Sequence, residues 1–358
     1  MYNFDDKTYL QQPRFMSPET VNMLLLRVKE HCQQHSLERF FFIFHGGEPL
    51  LAKKEFFIDF IETAGKILNG VVKMYFSLQT NGILLDDEWC RLFIKYNIRV
   101  GISLDGPQEI HDKHRLDHSG KGTFDRVLKG LNVLKTNGLD QVSKLLCVIN
   151  VNADPIAMYD FFKSTGIRTV DFLFPDLNYE HVSKKHHQSQ LTAHADWLIS
   201  IFDRWIEDAK GVSPLQIRKF SNAISLILGK PTSSDEMGQE NNSVLVIETD
   251  GGIETLDSLK ICGEGFTKAN LNIRTNSLDD ALDSPLARLY HDSHTNLCDQ
   301  CNNCYVKEVC GGGNIAHRYR HSNGFNNPSI YCRDLEKLYT HVRDTVFEML
   351  SKYELLES

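Results

Sequence analysis

Five of the nine cysteines in this 358-residue chain fall between Cys298 and Cys332. Cys301, Cys304 and Cys310 stand as C-x2-C-x5-C, Cys298 lies another x2 upstream, and Cys332 closes the run beyond a Gly-, Asn- and Pro-rich loop. Cysteines at this spacing can turn their sulfurs towards one centre, and Gly311-Gly312-Gly313 lets the backbone come close to it. Four thiolates could therefore converge on one metal site, either a structural zinc or an iron–sulfur cluster. Short C-x2-C pairs belong to both, and local spacing does not separate them. Disulfides are the weaker reading: Cys32, Cys90, Cys147 and Cys262 are scattered singly in helix- or strand-like segments of a chain expected to be cytoplasmic.

A second group of candidate residues lies upstream, at the ends of buried strands. Arg39–His45 (RFFFIFH) is a continuous apolar run suited to a strand buried on both faces, and Gly46-Gly47-Glu48-Pro49 follows it. The glycine pair would expose backbone N–H and C=O groups, and the Glu48 carboxylate could hold a ligand ammonium. Ser103 and Asp105 sit at a later strand end, and Arg115 on the loop beyond could pair with a ligand carboxylate. An amino acid moiety would satisfy both charges. Taken singly, these motifs also read as turn formers and Arg115 as a surface residue.

The elements that must position these groups alternate. Ser17 caps a helix with Pro18 in its first turn, running to about residue 35, and further helices are expected at 54–68, 86–96, 123–137 (capped by Thr123) and 155–165. Strands are expected at 39–45, 71–78, 99–104, 142–150 and 169–174, each followed by Gly, Asn, Asp or Pro. This β/α periodicity implies a parallel barrel or partial barrel whose site gathers at the carboxyl ends of the strands. At 41% hydrophobic content the chain can bury a large core, and its length suits one large and one smaller domain. A formal charge of −8 argues against nucleic acid as a partner, and no apolar run approaches the length that spans a membrane. The His- and Lys-rich stretch 181–187 reads as a solvated loop rather than a metal or anion site.

Together, HGGEPLL (45–51), LQTNG (78–82), GISLDGP (101–107), HDKHR (111–115), GKGTFDRVLKGLNVL (120–134) and the cysteine run resemble the radical S-adenosylmethionine (AdoMet) enzymes that carry a SPASM domain. More closely, they resemble the peptide maturases of that group that cross-link residues of ribosomally made peptides, relatives of the anaerobic sulfatase-maturing enzymes. The resemblance implies an α/β fold: a partial (β/α)6 TIM-like barrel missing its first strand (1–180), a helical linker region (181–240) and a small α+β SPASM-like iron–sulfur domain (241–358). It also implies that Gly46, Gly47 and Glu48 hold the AdoMet amino group, that Ser103 and Arg115 help bind the same molecule, and that Cys301, Cys304, Cys310 and Cys332 carry an auxiliary [4Fe–4S] cluster. The implied partners are a precursor peptide and an electron donor protein.

The chain departs from the family pattern in two places. Asn314 and Leu256 stand where ligands of a first auxiliary cluster are expected, so that cluster is expected to be absent. Cys262 and Cys298 then become spare thiols, and Cys298 either replaces one ligand or stands as a free buried cysteine. Asp257, just after Leu256, matches the catalytic acid/base carboxylate of the sulfatase maturases, and reads equally as a solvated aspartate after a strand. The other departure is the lack of C-x3-C-x2-C, the triplet that holds the AdoMet-cleaving [4Fe–4S] cluster. Met1 aligns a couple of residues beyond it, so the start is expected to lie at an internal methionine. Radical chemistry, with a second cluster, is expected only when those preceding residues are present. A sulfatase-maturing enzyme and a non-catalytic peptide-binding scaffold with a structural metal are the alternatives.

Overall fold

The computed structural model describes residues 6–182, 192–211, 215–232, 234–241 and 243–357, without the side chains of 353–357. Most of the His- and Lys-rich stretch 181–187 lies outside the described residues.

Six parallel strands form one sheet in sequence order: β1 (Arg39–Phe44), β2 (Lys73–Thr80), β3 (Ile98–Ser103), β4 (Lys144–Val148), β5 (Thr169–Leu173) and β6 (Gln216–Ile217). Parallel neighbours in sequence order require a crossover after every strand, and the helices supply it. They are α1 (Pro18–Gln34) before β1, then α2 (Lys53–Leu68), α3 (Asp87–Tyr96), α4 (Phe124–Thr136), α5 (Pro155–Ser164) and α6 (Ala193–Ala209). This is the α/β partial-barrel arrangement that the periodicity implied. The sheet runs further than expected, however, taking its sixth strand from inside the stretch read as a helical linker.

Local sequence explains the element boundaries. The Ser17 hydroxyl accepts from the Thr20 N–H at 3.2 Å with Pro18 at the first helical position, and α1 buries Leu24, Leu25, Val28 and Cys32 along one stripe. Asp86 caps α3 through the Trp89 N–H at 2.8 Å, and Asp154 caps α5 through the Ala157 N–H at 2.7 Å. Thr123 does not cap α4 with its side chain as expected. Asp112 Oδ1 instead accepts from the Thr123 and Phe124 N–H groups at 2.8 and 3.0 Å, which frees the Thr123 hydroxyl for the site described below.

Strand β1 also departs from the expectation of burial on both faces. Phe42 and Phe44 pack on Phe57 and Phe60 of α2, whereas Phe41 and Ile43 are 60% and 59% exposed. Being the edge strand, β1 has a neighbour on only one side, and Phe41 is covered mainly by Tyr75 stacked at 4.9 Å.

Beyond β6, helix α7 (Arg218–Ile227) leads into an antiparallel sheet of β7 (Val246–Ile247), β8 (Gly252–Glu254) and β9 (Lys268–Asn272). Short helices α8 (Leu278–Leu282) and α9 (Pro285–His291) follow, then the cysteine-bearing turns and the long α10 (Cys332–Glu357). Helix α10 returns to the barrel: Leu335, Leu338, Tyr339 and Val342 join one apolar core with Ile201, Phe202 and Phe220. Leu259, Tyr290, Ile315 and Ala316 form a smaller second core.

Candidate functional site

The loop after β1 and the ends of β2 and β3 meet on one side of the sheet. Gly46 has φ +56°, a conformation that a side chain would strain. Glu48 is held on both oxygens: Oε1 accepts from the Leu50 N–H (3.1 Å) and the Thr80 hydroxyl (2.7 Å), and Oε2 from the Asn81 N–H (2.8 Å). The carboxylate thus locks the Gly46–Glu48 loop to the end of β2. Its backbone, rather than the Glu48 side chain, is what the loop presents outward. On β3, a Cβ at Gly101 would stand 2.0 Å from Gln79 Oε1, so glycine there makes room for the Gln79 amide, which donates to Ser103 Oγ at 3.0 Å.

Arg115 is drawn in by Asp105 rather than lying on the surface. Its Nε and Nη2 donate to the two Asp105 oxygens at 2.5 and 3.0 Å, and Asp105 Oδ1 also accepts from the Val148 N–H at 3.0 Å. A guanidinium has five N–H donors, so this fork fixes the plane of Arg115 and leaves three for another acceptor. A buried relay supports the loop. The Asp105 N–H donates to His111 Nδ1, which leaves the His111 proton on Nε2, facing Thr123 Oγ1 at 3.0 Å, while that hydroxyl donates to the Arg115 carbonyl at 2.9 Å. Burial, then the Arg115 charge, lowers the His111 pKa and favours this neutral tautomer.

Asp257 comes to the same region from more than 200 residues away in the chain. Its Oδ2 lies 3.3 Å from His45 Nδ1, at the end of β1 immediately before Gly46, and its Oδ1 lies 3.8 Å from Lys260 Nζ. Lys260 is buried against Glu248 (2.8 Å) and Glu254 (3.3 Å) as well. Burial opposes the Lys260 charge, but Glu248, then Asp257 and Glu254, outweigh it and hold its pKa above the ordinary value. The bond to Asp257 raises the His45 pKa in the same way, against the opposing effect of burial. Asp257 thus lies between an imidazole and a buried ammonium, beside the loop that follows β1. His45 and Lys260 carried no role in the sequence reading. The position of His45 directly before the glycine pair was the only available sign.

The cysteine run folds into short helical turns, and Cys332 opens α10. Cys301 is buried and Cys304, Cys310 and Cys332 are partly so. Burial, then the neighbouring Cys332 and Cys304 thiols, pushes Cys310 up to about 12, while burial, then Cys304, pushes Cys332 up to about 11. Cys301 is raised by burial, then by Cys298, Cys310 and Cys332. Each of the five thiols therefore lies within the electrostatic reach of at least one other, Cys298 included.

Two observations bear on which metal group these thiols fit. Tetrahedral zinc, with Zn–S near 2.3 Å, needs sulfurs roughly 3.8 Å apart. Among the described residues, the only group of three or more metal-ligating atoms all within 4.8 Å of one another contains no cysteine. No three of the thiols meet that spacing among the described residues. The second observation is Arg318, which is 2% exposed and donates through Nη2 to the carbonyls of Ser293 (2.8 Å), Gly313 (3.2 Å) and Gly311 (3.5 Å). Its Nε has no hydrogen-bond partner among the described residues, and it lies in the field of Cys301, Cys310 and Cys298. A buried cation with a spare donor beside several thiols suits a centre of net negative charge.

The positions expected to depart from the family pattern are occupied by packed side chains. Leu256 and Cys262 lie against the second core, with burial pushing the Cys262 thiol up to about 12. The Asn314 side chain accepts from the Ala316 N–H at 2.9 Å. Asn314 also borders a void of about 10 Å³, room for one water, shared with Lys219, Glu236 and His317.

Among the described residues no helix is long and apolar enough to cross a membrane. The sequence model of the radical SAM superfamily matches residues 5–162. A cysteine-type anaerobic sulfatase-maturating enzyme of Clostridium novyi (strain NT) is 29% identical over 307 residues, covering 83% of this chain and 79% of the relative. A serine-type anaerobic sulfatase-maturating enzyme of Bacteroides thetaiotaomicron is 27% identical over 354 residues, covering 93% and 83%. The solved structure of native anSMEcpe with bound AdoMet and Cp18Cys peptide superposes with a TM-score of 0.81 at 25% identity, covering 98% of this chain and 96% of that one.

Proposed function

We propose that this chain, whose residues 5–162 match the radical SAM superfamily and which has sulfatase-maturating relatives, takes part in the post-translational modification of a ribosomally made peptide. The observation that carries the reading is the meeting of Asp257 with His45 at the end of β1, which sets a carboxylate beside the Gly46–Glu48 loop. In this reading Gly46 and Gly47 offer backbone acceptors to the AdoMet ammonium while Glu48 fixes their loop. Ser103 and the remaining donors of Arg115 take the AdoMet carboxylate. Asp257 accepts a proton from the peptide at Oδ1 or Oδ2, and His45 and Lys260 position the carboxylate for that step.

Cys301, Cys304, Cys310 and Cys332, with Cys298 as a fifth thiol nearby, would hold an auxiliary [4Fe–4S] cluster, which supplies one-electron chemistry when bound. Arg318 would balance its charge, and an electron donor protein would serve the system. The ligands of an AdoMet-cleaving cluster are a different matter. No C-x3-C-x2-C occurs in these 358 residues, and no cleavage step is assigned to them.

Equilibrium binding of radiolabelled AdoMet tests the reading. We expect saturable binding of about one AdoMet per chain, weakened about tenfold or more by Arg115→Met, with affinity for a cysteine- or serine-containing peptide rising when AdoMet is present. Absence of saturable AdoMet binding would overturn it. The curated relatives favour a sulfatase-maturing role as the second reading. Tight binding of a sulfatase-derived peptide in preference to other peptides would select it.

A further inference from the structure

The cluster of His31, His35 and Asp279 takes no part in the chemistry above, and its three ligand atoms lie within 4.8 Å of one another. Asp279 Oδ1 is 3.0 Å from His31 Nδ1 and 2.7 Å from His35 Nε2. We propose that these residues form a binding site for a divalent transition-metal ion, of the Zn²⁺, Ni²⁺ or Co²⁺ class, that pins α1 to the C-terminal part of the chain.

Ligands at about 2.1 Å from a tetrahedral or octahedral ion are separated by roughly 3.0–3.4 Å. The two nitrogen–oxygen separations need open by only a few tenths of an ångström to reach that range. The two histidines stand four residues apart at the carboxyl end of α1, so both rings project from one face of the helix. His35 is the C-cap residue, where the ring has more freedom to adjust than inside the helix. Two imidazoles and one carboxylate form a donor set that suits these ions and leaves positions open for water. His35 and Asp279 are partly exposed, which gives the ion a way in.

The carboxylate is held as firmly as the rings. Asp279 is the second residue of α8, whose start is fixed by reciprocal bonds between Ser277 and Asp280, with Leu278 and Ala281 buried beneath it. Two further ties join the same surfaces: Arg27 Nε donates to the Ile273 carbonyl at 2.9 Å, and Arg274 Nη2 to Thr20 Oγ1 at 3.2 Å. An ion bridging His31, His35 and Asp279 would close this seam with ligands 248 and 244 positions apart in sequence. The same contacts also work as plain hydrogen bonds, with both imidazoles donating to one oxygen. The two roles can be separated experimentally.

The test uses the full chain with its cysteine centre reconstituted, so that the thiols are occupied. Ni²⁺ is titrated against a chromophoric chelator, and unfolding is followed with and without the ion. We expect the parent to bind one more equivalent than His31→Ala/His35→Ala and its Tm to rise with Ni²⁺ by a few degrees or more. Co²⁺ in the site should show d–d bands without thiolate charge transfer. His35→Gln keeps a donor for Asp279 but removes a metal ligand. We expect it to retain the metal-free Tm of the parent and to bind Ni²⁺ at least tenfold more weakly. Equal stoichiometry and equal Ni²⁺-dependent Tm in the parent and both variants would overturn the proposal and leave the hydrogen-bonded seam.

Discussion

Replacing Arg115 by Met tests how the strand-end site is built. The Asp105 carboxylate is 8% exposed and takes three donors, two of them from Arg115 and the third from the Val148 N–H. Arg115→Met leaves a largely buried charge with one donor. Breaking a buried ion pair from one side costs about 3–5 kcal/mol. Because Arg115 retains about a fifth of its side-chain exposure, the lower end applies, about 3 kcal/mol or roughly a hundredfold in the folding equilibrium. Asp105→Asn/Arg115→Met removes the charge as well and should recover part of that loss, giving a coupling of about 2 kcal/mol in a double-mutant cycle read by denaturant unfolding. The same cycle read by AdoMet binding separates orientation from charge. If Asp105 acts by orienting Arg115, Asp105→Asn weakens AdoMet; if it merely repels the ligand carboxylate, the affinity rises. Arg115→Met unfolding within about 0.5 kcal/mol of the parent, or strict additivity in the cycle, would refute the reasoning.

Three further outcomes are expected. Glu48→Gln turns an amide N–H₂ towards the donors that now meet a carboxylate, and should destabilise the β1–β2 end by about 1–3 kcal/mol and weaken AdoMet, measured by unfolding and equilibrium binding. The His45 pKa is raised by its bond to Asp257, so the stability from this pair is fully present below the ordinary histidine value and is lost as pH rises through the elevated one. His45→Asn should flatten the dependence of Tm on pH in that window, and an unchanged profile would contradict the pairing. Arg318→Gln should lower the reduction potential of the cysteine-bound cluster in a potentiometric EPR titration, with Arg318→Lys in between. A potential unaffected by both would show that the buried cation does not act on the cluster.

Most of the barrel was legible because its signals are local. Apolar runs ended by Gly, Asn or Asp marked strands β1 to β5, and Ser17 marks a helix start whose cap bond the structure shows, whereas the caps Asp86 and Asp154 emerged only with the fold. Strand β6 was not legible, since two residues carry no periodicity. Burial of β1 on both faces was misjudged because an apolar run does not reveal whether its strand lies at the sheet edge. Thr123 was read as a cap because the side chain that does the capping, Asp112, lies eleven residues earlier. The site shows the same division. Glu48, Ser103 and Arg115 stood out as polar groups after strands, but the bond from Arg115 to Asp105 and the approach of Asp257 to His45 are tertiary contacts. Arg318 gave no sign at all, because a basic residue in a polar loop looks solvated until the fold buries it.

The most direct measurement is the metal and sulfide content of the anaerobically reconstituted chain, compared with Cys301→Ser, Cys304→Ser, Cys310→Ser and Cys332→Ser. We expect about four iron and four sulfide per chain in the parent and loss of that cluster when any of the four is replaced. One zinc per chain with no sulfide, or iron and sulfide contents unchanged among the variants, would contradict the iron–sulfur centre proposed for these cysteines.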